Sequence, residues 1–323
     1  MSVANIKQVA AAAGLSVACV SKYLKNPDSV LPASRERIEQ AIDALHYVPS
    51  AAARSLRTKK SYQVKIVMES ISNPFFAEMF EGLRRLLESH GYTSLLQNID
   101  KPPQKEDFIS LDGLIVCFGD DEKRIHEILQ AAGDNLPTVC LHWREPDFGV
   151  PTVWVDVSEG MQLAVEQLVT DGCDRFAYVG GPQKSVISAE KRKGAAAALK
   201  QAGKTLHSTQ IYHGEFTFQA GYDAAKAIAQ QTPRPDAVLC ENDVLAAGVI
   251  CGLYRQGVRV PEDVRVTGFD NIPLAEMYIP AITSIAIPMG EMHTRAVAML
   301  LDILDGKSAE NQALSPLLAT RQS

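Results

Sequence analysis

Apolar residues recur at three- and four-residue intervals through the first fifty positions, then change to short uninterrupted runs from Val64 onward. The first rhythm predicts three short helices. Asn5 can cap the first, which packs with Ile6, Val9 and Ala10 and stops at Gly14. Ser16 can cap the second, with Val20 and Leu24 facing inward and the Asn26-Pro27 pair closing it. Ser34 can cap the third, with Ile38, Ile42 and Leu45 on one side. The break between the first two is only Gly14-Leu15, which is helix-turn-helix spacing; a plain three-helix bundle is the alternative.

The second rhythm predicts strands at 64–68, 93–97, 113–117, 138–141 and 152–155, then at 176–180, 237–240, 264–269 and 283–287. Helical segments lie between them, at 75–90, 160–171, 221–231, 244–256 and 291–304. Apolar strands alternating with helices give parallel sheets covered on both faces, here an α/β body of two Rossmann-like lobes. The connection NIDKPPQKEDFISLD between positions 97 and 113 is close to the minimum for a parallel crossover.

Composition alters this picture in one respect. Hydrophobic content of 46% and charged content of 22% are those of a globular protein. No window of about 18 apolar residues predicts a membrane span, and the start carries no secretory pattern. The six cysteines are scattered with no CxxC pair, so no disulfide framework or metal site is predicted and a cytoplasmic setting is expected. The net charge of −6, however, is uneven: residues 1–61 hold nine Lys/Arg against four Asp/Glu, or +5, leaving −11 for the rest. A basic head on an acidic body predicts a polyanion partner for the head alone. The outward positions of the second helix fit that partner. Val17 and Ala18 can offer apolar contact to a thymine methyl, Lys22 can donate to guanine, and Lys25 can anchor a phosphate. In YVPSAAARSLRTKK, Ser50 to Leu56 makes a helix too short to stand alone, with Leu56 as an apolar wedge and Arg54 and Arg57 for phosphates. That combination fits minor-groove insertion; a linker is the alternative.

The AxxAGLSxxxVSKxL core, the ASRERIxxAIxxLxYVPSAAARSL continuation and ISNPFF further on resemble the lactose/galactose-repressor (LacI/GalR) family of transcriptional regulators, from about Asn5 to the C-terminus. The resemblance implies a DNA-binding domain at 1–48, a hinge helix at 49–61 and an effector-binding, dimerising core at 62–323. Within the core, lobe one would comprise 62–155 and 288–318, and lobe two 156–287, as in periplasmic binding proteins. It implies base readout by Val17, Ala18 and Lys22, phosphate contacts from Ser16, Ser21 and Ser34, and minor-groove contact by the hinge residues Ala53, Arg54, Leu56 and Arg57. Two positions depart from the family: Lys22 stands where arginine is usual, and Lys25 where asparagine is usual.

The body shows no GxGxxG, no phosphate-binding GxxxxGK[ST], no HExxH and no GxSxG, so a binding crevice without catalysis, cofactor or metal is expected. Open α/β sheets bind ligands beyond the C-terminal ends of their strands. Candidates there are Ser70, Asn73, Phe75 and Phe76 after the first strand, and His142 and Trp143 after the fourth. Lys191 and Arg192 open the helix after GGPQ; Phe216, Asn242 and Asp270 complete the set. Flat rings with amides and carboxylates suit a sugar or nucleoside, although each aromatic alone reads equally well as core. By family position, Asn242 and Asp270 match a hydroxyl-binding pair, and Phe216 and Phe76 match stacking positions. His142 replaces a usual aspartate and Lys191 a usual arginine. With Arg192, these point to an acidic sugar. The expected whole is a homodimeric repressor on a pseudo-palindromic double-stranded operator, switched by a small effector. No trailing leucine heptads suggest a coiled-coil tetramer. A cytoplasmic binding module without DNA function is the rival.

Overall fold

The computed structural model of the chain describes residues 4–47, 60–117, 120–143 and 148–323, with the side chain of Lys25 excepted. The hinge residues Ala53, Arg54, Leu56 and Arg57 lie outside the described residues. The chain divides into two compact units, 1–62 and 63–323.

In the first unit, α1 (Ile6–Ala13) is opened by a reciprocal capping box. The Asn5 side chain accepts from the Lys7 and Gln8 amides, and the Gln8 side chain accepts from the Asn5 amide. Gly14 closes α1 at φ 62°, a left-handed conformation that suits glycine, and its carbonyl accepts from Arg37 Nη2 at 3.2 Å. Helix α2 (Val17–Lys25) starts at Ser16, whose hydroxyl accepts from the Cys19 amide at 3.1 Å, and ends at Asn26. Helix α3 (Pro32–Leu45) starts two residues before Ser34, with Leu31 at its cap position and no side-chain cap. Pro32 supplies the helical φ without a wasted N–H, so Ser34 sits in the first turn and is not the cap. Val9, Ala10, Ala13, Val20, Ile38, Ala41 and Tyr47 form the core.

The second unit carries two six-stranded sheets. The first runs β2 (Thr93–Asn98), β1 (Gln63–Met68), β3 (Gly113–Cys117), β4 (Thr138–His142), β5 (Thr152–Val155) and β11 (Gln312–Leu314), all parallel. The second runs β7 (Ile211–His213), β6 (Phe176–Gly180), β8 (Ala237–Cys240), β9 (Arg265–Asp270), β10 (Thr283–Ala286) and β12 (Leu317–Ala319). Only the pairing of β12 with β10 is antiparallel in it. Helices α4 (Pro74–Ser89), α5 (Glu122–Ala132) and α11 (Met289–Leu304) belong with the first sheet. Helices α6 (Val157–Thr170), α7 (Val186–Gln201), α8 (Phe218–Gln230), α9 (Asp243–Arg255) and α10 (Pro273–Met277) belong with the second. The chain crosses between sheets after β5, after β10 and after β11. Residues 317–319 therefore pair in lobe two, where the sequence boundary at 318 would leave 317 and 318 in lobe one.

The short 97–113 connection holds a single 3-10 turn, Lys105–Phe108. Phe108 is buried against Val67, Leu114 and Val116, and does the covering in place of a full helix. Beneath it, the Lys65 ammonium donates to Gln97 Oε1 at 2.9 Å and to the Asp107 carbonyl, and lies 5.2 Å from the Phe108 ring centre. Burial lowers the Lys65 pKa.

Candidate functional site

Both sheets end their strands toward one crevice, partly open to solvent and lined from both lobes, the placement expected for a ligand site in open α/β sheets. Lobe one contributes Glu69 and Asn73 beyond β1, Phe75 and Phe76 from the first turn of α4, Asp120 beyond β3 and Trp143 beyond β4. Lobe two contributes Ile187 and Lys191 from α7, Phe216 before α8, Glu241 and Asn242 beyond β8, and Asp270 at the end of β9.

Phe75 anchors the aromatic wall. Its ring lies 5.3 Å edge-on from Phe76 and 5.3 Å from Trp143. Phe216 lines the crevice from the other lobe, close against Gly181; a Cβ there would fall 2.2 Å from its ring. Asn73 and Asn242 both act as helix caps, their Oδ1 atoms accepting from the Phe75 amide at 3.1 Å and the Leu245 amide at 2.8 Å. Asn242 is 97% buried and lines the crevice with its oxygen thus committed, which leaves its amide nitrogen as the group available to a ligand.

Glu241 is fully buried and fully used. Tyr178 Oη donates to Oε1 at 2.8 Å, the Gly181 amide to Oε2 at 2.9 Å, and the Ser188 hydroxyl also to Oε2. Lys191 Nζ donates to the Glu241 carbonyl at 2.8 Å, stands 3.9 Å from Asp270 Oδ1, and lies 3.7 Å from the Phe269 ring centre and 5.6 Å from that of Trp143. Its pKa is lowered by burial. Asp270 is pushed up to about 7 by burial, against the opposing pull of Lys191. Its backbone holds φ 95° and that of Asn271 φ 55°. A non-glycine pair in that region costs of order 1–3 kcal/mol each unless held. Here Arg321 Nη2 donates to Asn271 Oδ1 at 2.7 Å, and the Asn271 amide donates to Ser284 Oγ at 3.1 Å.

Across the crevice, Glu69 is raised to about 7, first by burial and then by the neighbouring Asp120. Asp120 Oδ1 accepts from the Ile187 amide at 3.0 Å, a direct bond from lobe one to the first turn of α7 in lobe two.

Three sequence candidates lie off this wall. Ser70 is exposed and shares a 2.9 Å hydrogen bond with the Ser72 hydroxyl. His142 ends β4 lining an adjoining small pocket, with its ring centre 5.0 Å from that of Phe148 in a T-shaped contact. Arg192 is one residue past Lys191 on a helix that begins at Val186, so it points about 100° away. Its Nη1 is buried with no hydrogen-bond partner among the described residues. The acidic-sugar expectation thus loses two of its three cations. Four lining residues have no counterpart among the sequence candidates: Glu69, Asp120, Ile187 and Glu241. Glu241 directly follows AVLC, so the strand-end rule that selected Asn242 applies to it equally.

In the head, Val17, Ala18 and Lys22 are exposed on α2, while Ser16 is engaged as its cap and Ser21 is partly buried. Tyr23 Oη and Arg35 Nε both donate to Glu39 Oε1, at 3.1 and 2.9 Å, and Arg35 Nη1 reaches Asp28 at 3.0 Å, tying α2 to α3. No helix among the described residues is long and apolar enough to cross a membrane.

A basic helix-turn-helix unit joined to a two-lobed body with a ligand crevice defines a ligand-responsive DNA-binding transcriptional regulator. Residues 5–50 match the bacterial regulatory proteins of the lacI family, and residues 165–323 match the periplasmic binding protein-like domain. The chain is 31% identical to the HTH-type transcriptional repressor PurR of Vibrio vulnificus, over 99% of this chain and 98% of that one. It is 32% identical to the HTH-type transcriptional repressor CytR of Escherichia coli, over 94% and 91%. Among solved structures, it resembles the transcriptional regulator CelR in complex with cellobiose, with a TM-score of 0.71, 27% identity and 99% coverage of both chains. The Lac repressor bound to ONPG shares the fold at a TM-score of 0.85 and 22% identity, again over 99% of both. The chain belongs to the lacI family of bacterial regulatory proteins.

Proposed function

We propose that the protein is a homodimeric repressor that reads a pseudo-palindromic operator and is switched by a small ring-bearing effector in the crevice. The observation that carries the reading is the crevice, lined by Phe76 from one lobe and Phe216 from the other, where Asp120 already bonds across to Ile187. A ligand that engages both walls changes the relation of the lobes. By linkage, whatever it does to DNA affinity, DNA does equally to its affinity. The repressor names of the PurR and CytR relatives support the direction, and the cellobiose complex of CelR supports a small-molecule switch. Every role assigned to the crevice side chains is one of binding.

Base readout is assigned to Val17, Ala18 and Lys22, and phosphate anchoring to Lys25 with Ser16, Ser21 and Ser34. In gel shifts with operator variants, Lys22→Ala should relax preference at one guanine per half-site, worth about 1–3 kcal/mol. Lys25→Ala should weaken all sequences together and reduce the salt slope by about one. Equal behaviour of the two variants would refute this division of roles. Absence of any sequence-selective complex with genomic fragments, with or without ligand, would favour a binding module without DNA function.

For the dimer, lobe two offers an apolar face at the ends of α9 and α10. Tyr254, Met277 and Ile279 are 77%, 71% and 89% exposed there. Apolar side chains clustered so openly mark an interaction surface. Placing aspartate at both Tyr254 and Ile279 should move the sedimentation mass from twice the 35.1 kDa chain mass to a single chain. An unchanged mass would place the dimer contact elsewhere.

A further inference from the structure

The crevice has an imbalance of charge that its size and rings do not explain. Its walls carry four carboxyl groups, Glu69, Asp120, Glu241 and Asp270, against one ammonium, Lys191. These five groups are not equally engaged. Glu241 is saturated by Tyr178, Gly181 and Ser188, and Asp120 Oδ1 is taken by the Ile187 amide. Asp270 is 93% buried, lines the crevice, and accepts no hydrogen bond among the described residues; its one neighbour of opposite charge, Lys191, stands 3.9 Å away. Glu69 receives a single long contact of 3.4 Å, from the Asp120 amide. Two carboxyl groups thus face a common space with unspent acceptor capacity, one from each lobe. Buried carboxylates of this kind are costly unless a positive partner or several donors arrive.

The aromatic wall points the same way. The Lys191 ammonium already rests against the Phe269 and Trp143 rings, and Phe75, Phe76 and Phe216 also line the space. Ring faces carry negative potential and attract cations, more strongly where water is excluded.

Resting on the reading of this crevice as the effector site, we propose that the effector is a cation: a small ring compound bearing a protonated nitrogen, held between Glu69 of lobe one and Asp270 of lobe two. Burial raises both carboxyl groups to about 7, so each holds its charge at a cost that a positive partner would offset. An arriving ammonium meets both at once and draws the lobes together. An anionic ligand would have to pair with Lys191 alone while adding to the charge of four carboxyl groups, which disfavours the sugar acid suggested by the sequence.

The test uses matched probes that differ in charge while keeping their ring. One set is benzylamine, benzyl alcohol and benzoate; the other is D-glucosamine, D-glucose and D-glucuronate. Thermal shift and calorimetric titration of the full chain should show the cationic member of a set binding about tenfold tighter than its neutral partner, and the anion weakest. In Glu69→Gln, which keeps the volume, the gap should shrink to roughly threefold or less. The inference is overturned if neutral or anionic members bind as tightly as their cationic partner, if no cationic member binds at millimolar concentration, or if Glu69→Gln leaves the preference intact. A gel shift of the same preparation with genomic fragments, run with and without the probes, judges the regulator reading separately, since it asks only for sequence-selective DNA binding.

Discussion

Glu241→Ala should lower the stability of the protein by about 3–5 kcal/mol and abolish its response to effector. The carboxylate is fully buried and accepts from a phenol, an amide and a hydroxyl that belong to three separate pieces of lobe two: β6, the turn after it and α7. Removing it strands those three donors without water, at about 1–3 kcal/mol for each buried group left unpaired. It also frees the backbone at 241, whose carbonyl positions Lys191. Glu241→Gln keeps the volume and two acceptor sites on one oxygen, and should lose clearly less. Urea melts followed by circular dichroism measure the first effect, and the ligand-induced thermal shift measures the second. A loss below about 1 kcal/mol for the alanine variant would mean that the three elements hold their places without this hub.

The second large effect is expected at a helix crossing. Helices α8 and α9 approach through Gly221, Gly248 and Gly252. A Cβ at Gly248 would lie 2.1 Å from the Phe218 carbonyl oxygen and 2.9 Å from the Tyr222 amide nitrogen, both backbone atoms that cannot swing aside. Gly248→Ala should therefore cost about 3 kcal/mol, the upper part of the usual range for overpacking. Gly290→Ala, in the first turn of α11 with nothing within 4 Å, is the control. It should be neutral or stabilising by up to about 1 kcal/mol. Similar melts for the two variants would show that α8 and α9 can separate without penalty.

The strands easiest to read from the sequence were those buried on both faces. GLIVC, TVWV, FAYVG and AVLC are apolar throughout because helices cover each side, and β3, β5, β6 and β8 have those bounds. Strands β7, β11 and β12 left no such trace, being three-residue edges with partly exposed side chains. Helix α5 is short and rich in charge, so its apolar stripe of Ile125 and Ile128 did not stand out. In the crevice, the strand-end rule located Asn73, Asn242 and Asp270, whose positions follow from topology alone. It could not rank neighbours. Whether residue 191 or 192 faces the ligand depends on where α7 begins, and Ser185 sets that by capping the helix at the Ser188 amide. Glu69 and Glu241 were passed over because an acid beside a strand reads as a solvated end until the opposite lobe is seen to bury it.

The three crossings between the sheets have a mechanical consequence. Strands β5 and β11 are neighbours at one edge of the first sheet, and β10 and β12 at one edge of the second, so each sheet is crossed from one side only. The crossings make that side the fulcrum. With strands about 4.8 Å apart, Trp143 beyond β4 lies one spacing from β5, Asp120 beyond β3 two, and Glu69 beyond β1 three. The same pull exerted at Glu69 acts on a lever arm of about 14 Å, roughly three times that at Trp143. A ligand gains its greatest torque on the lobes where the structure has set an underused carboxyl group.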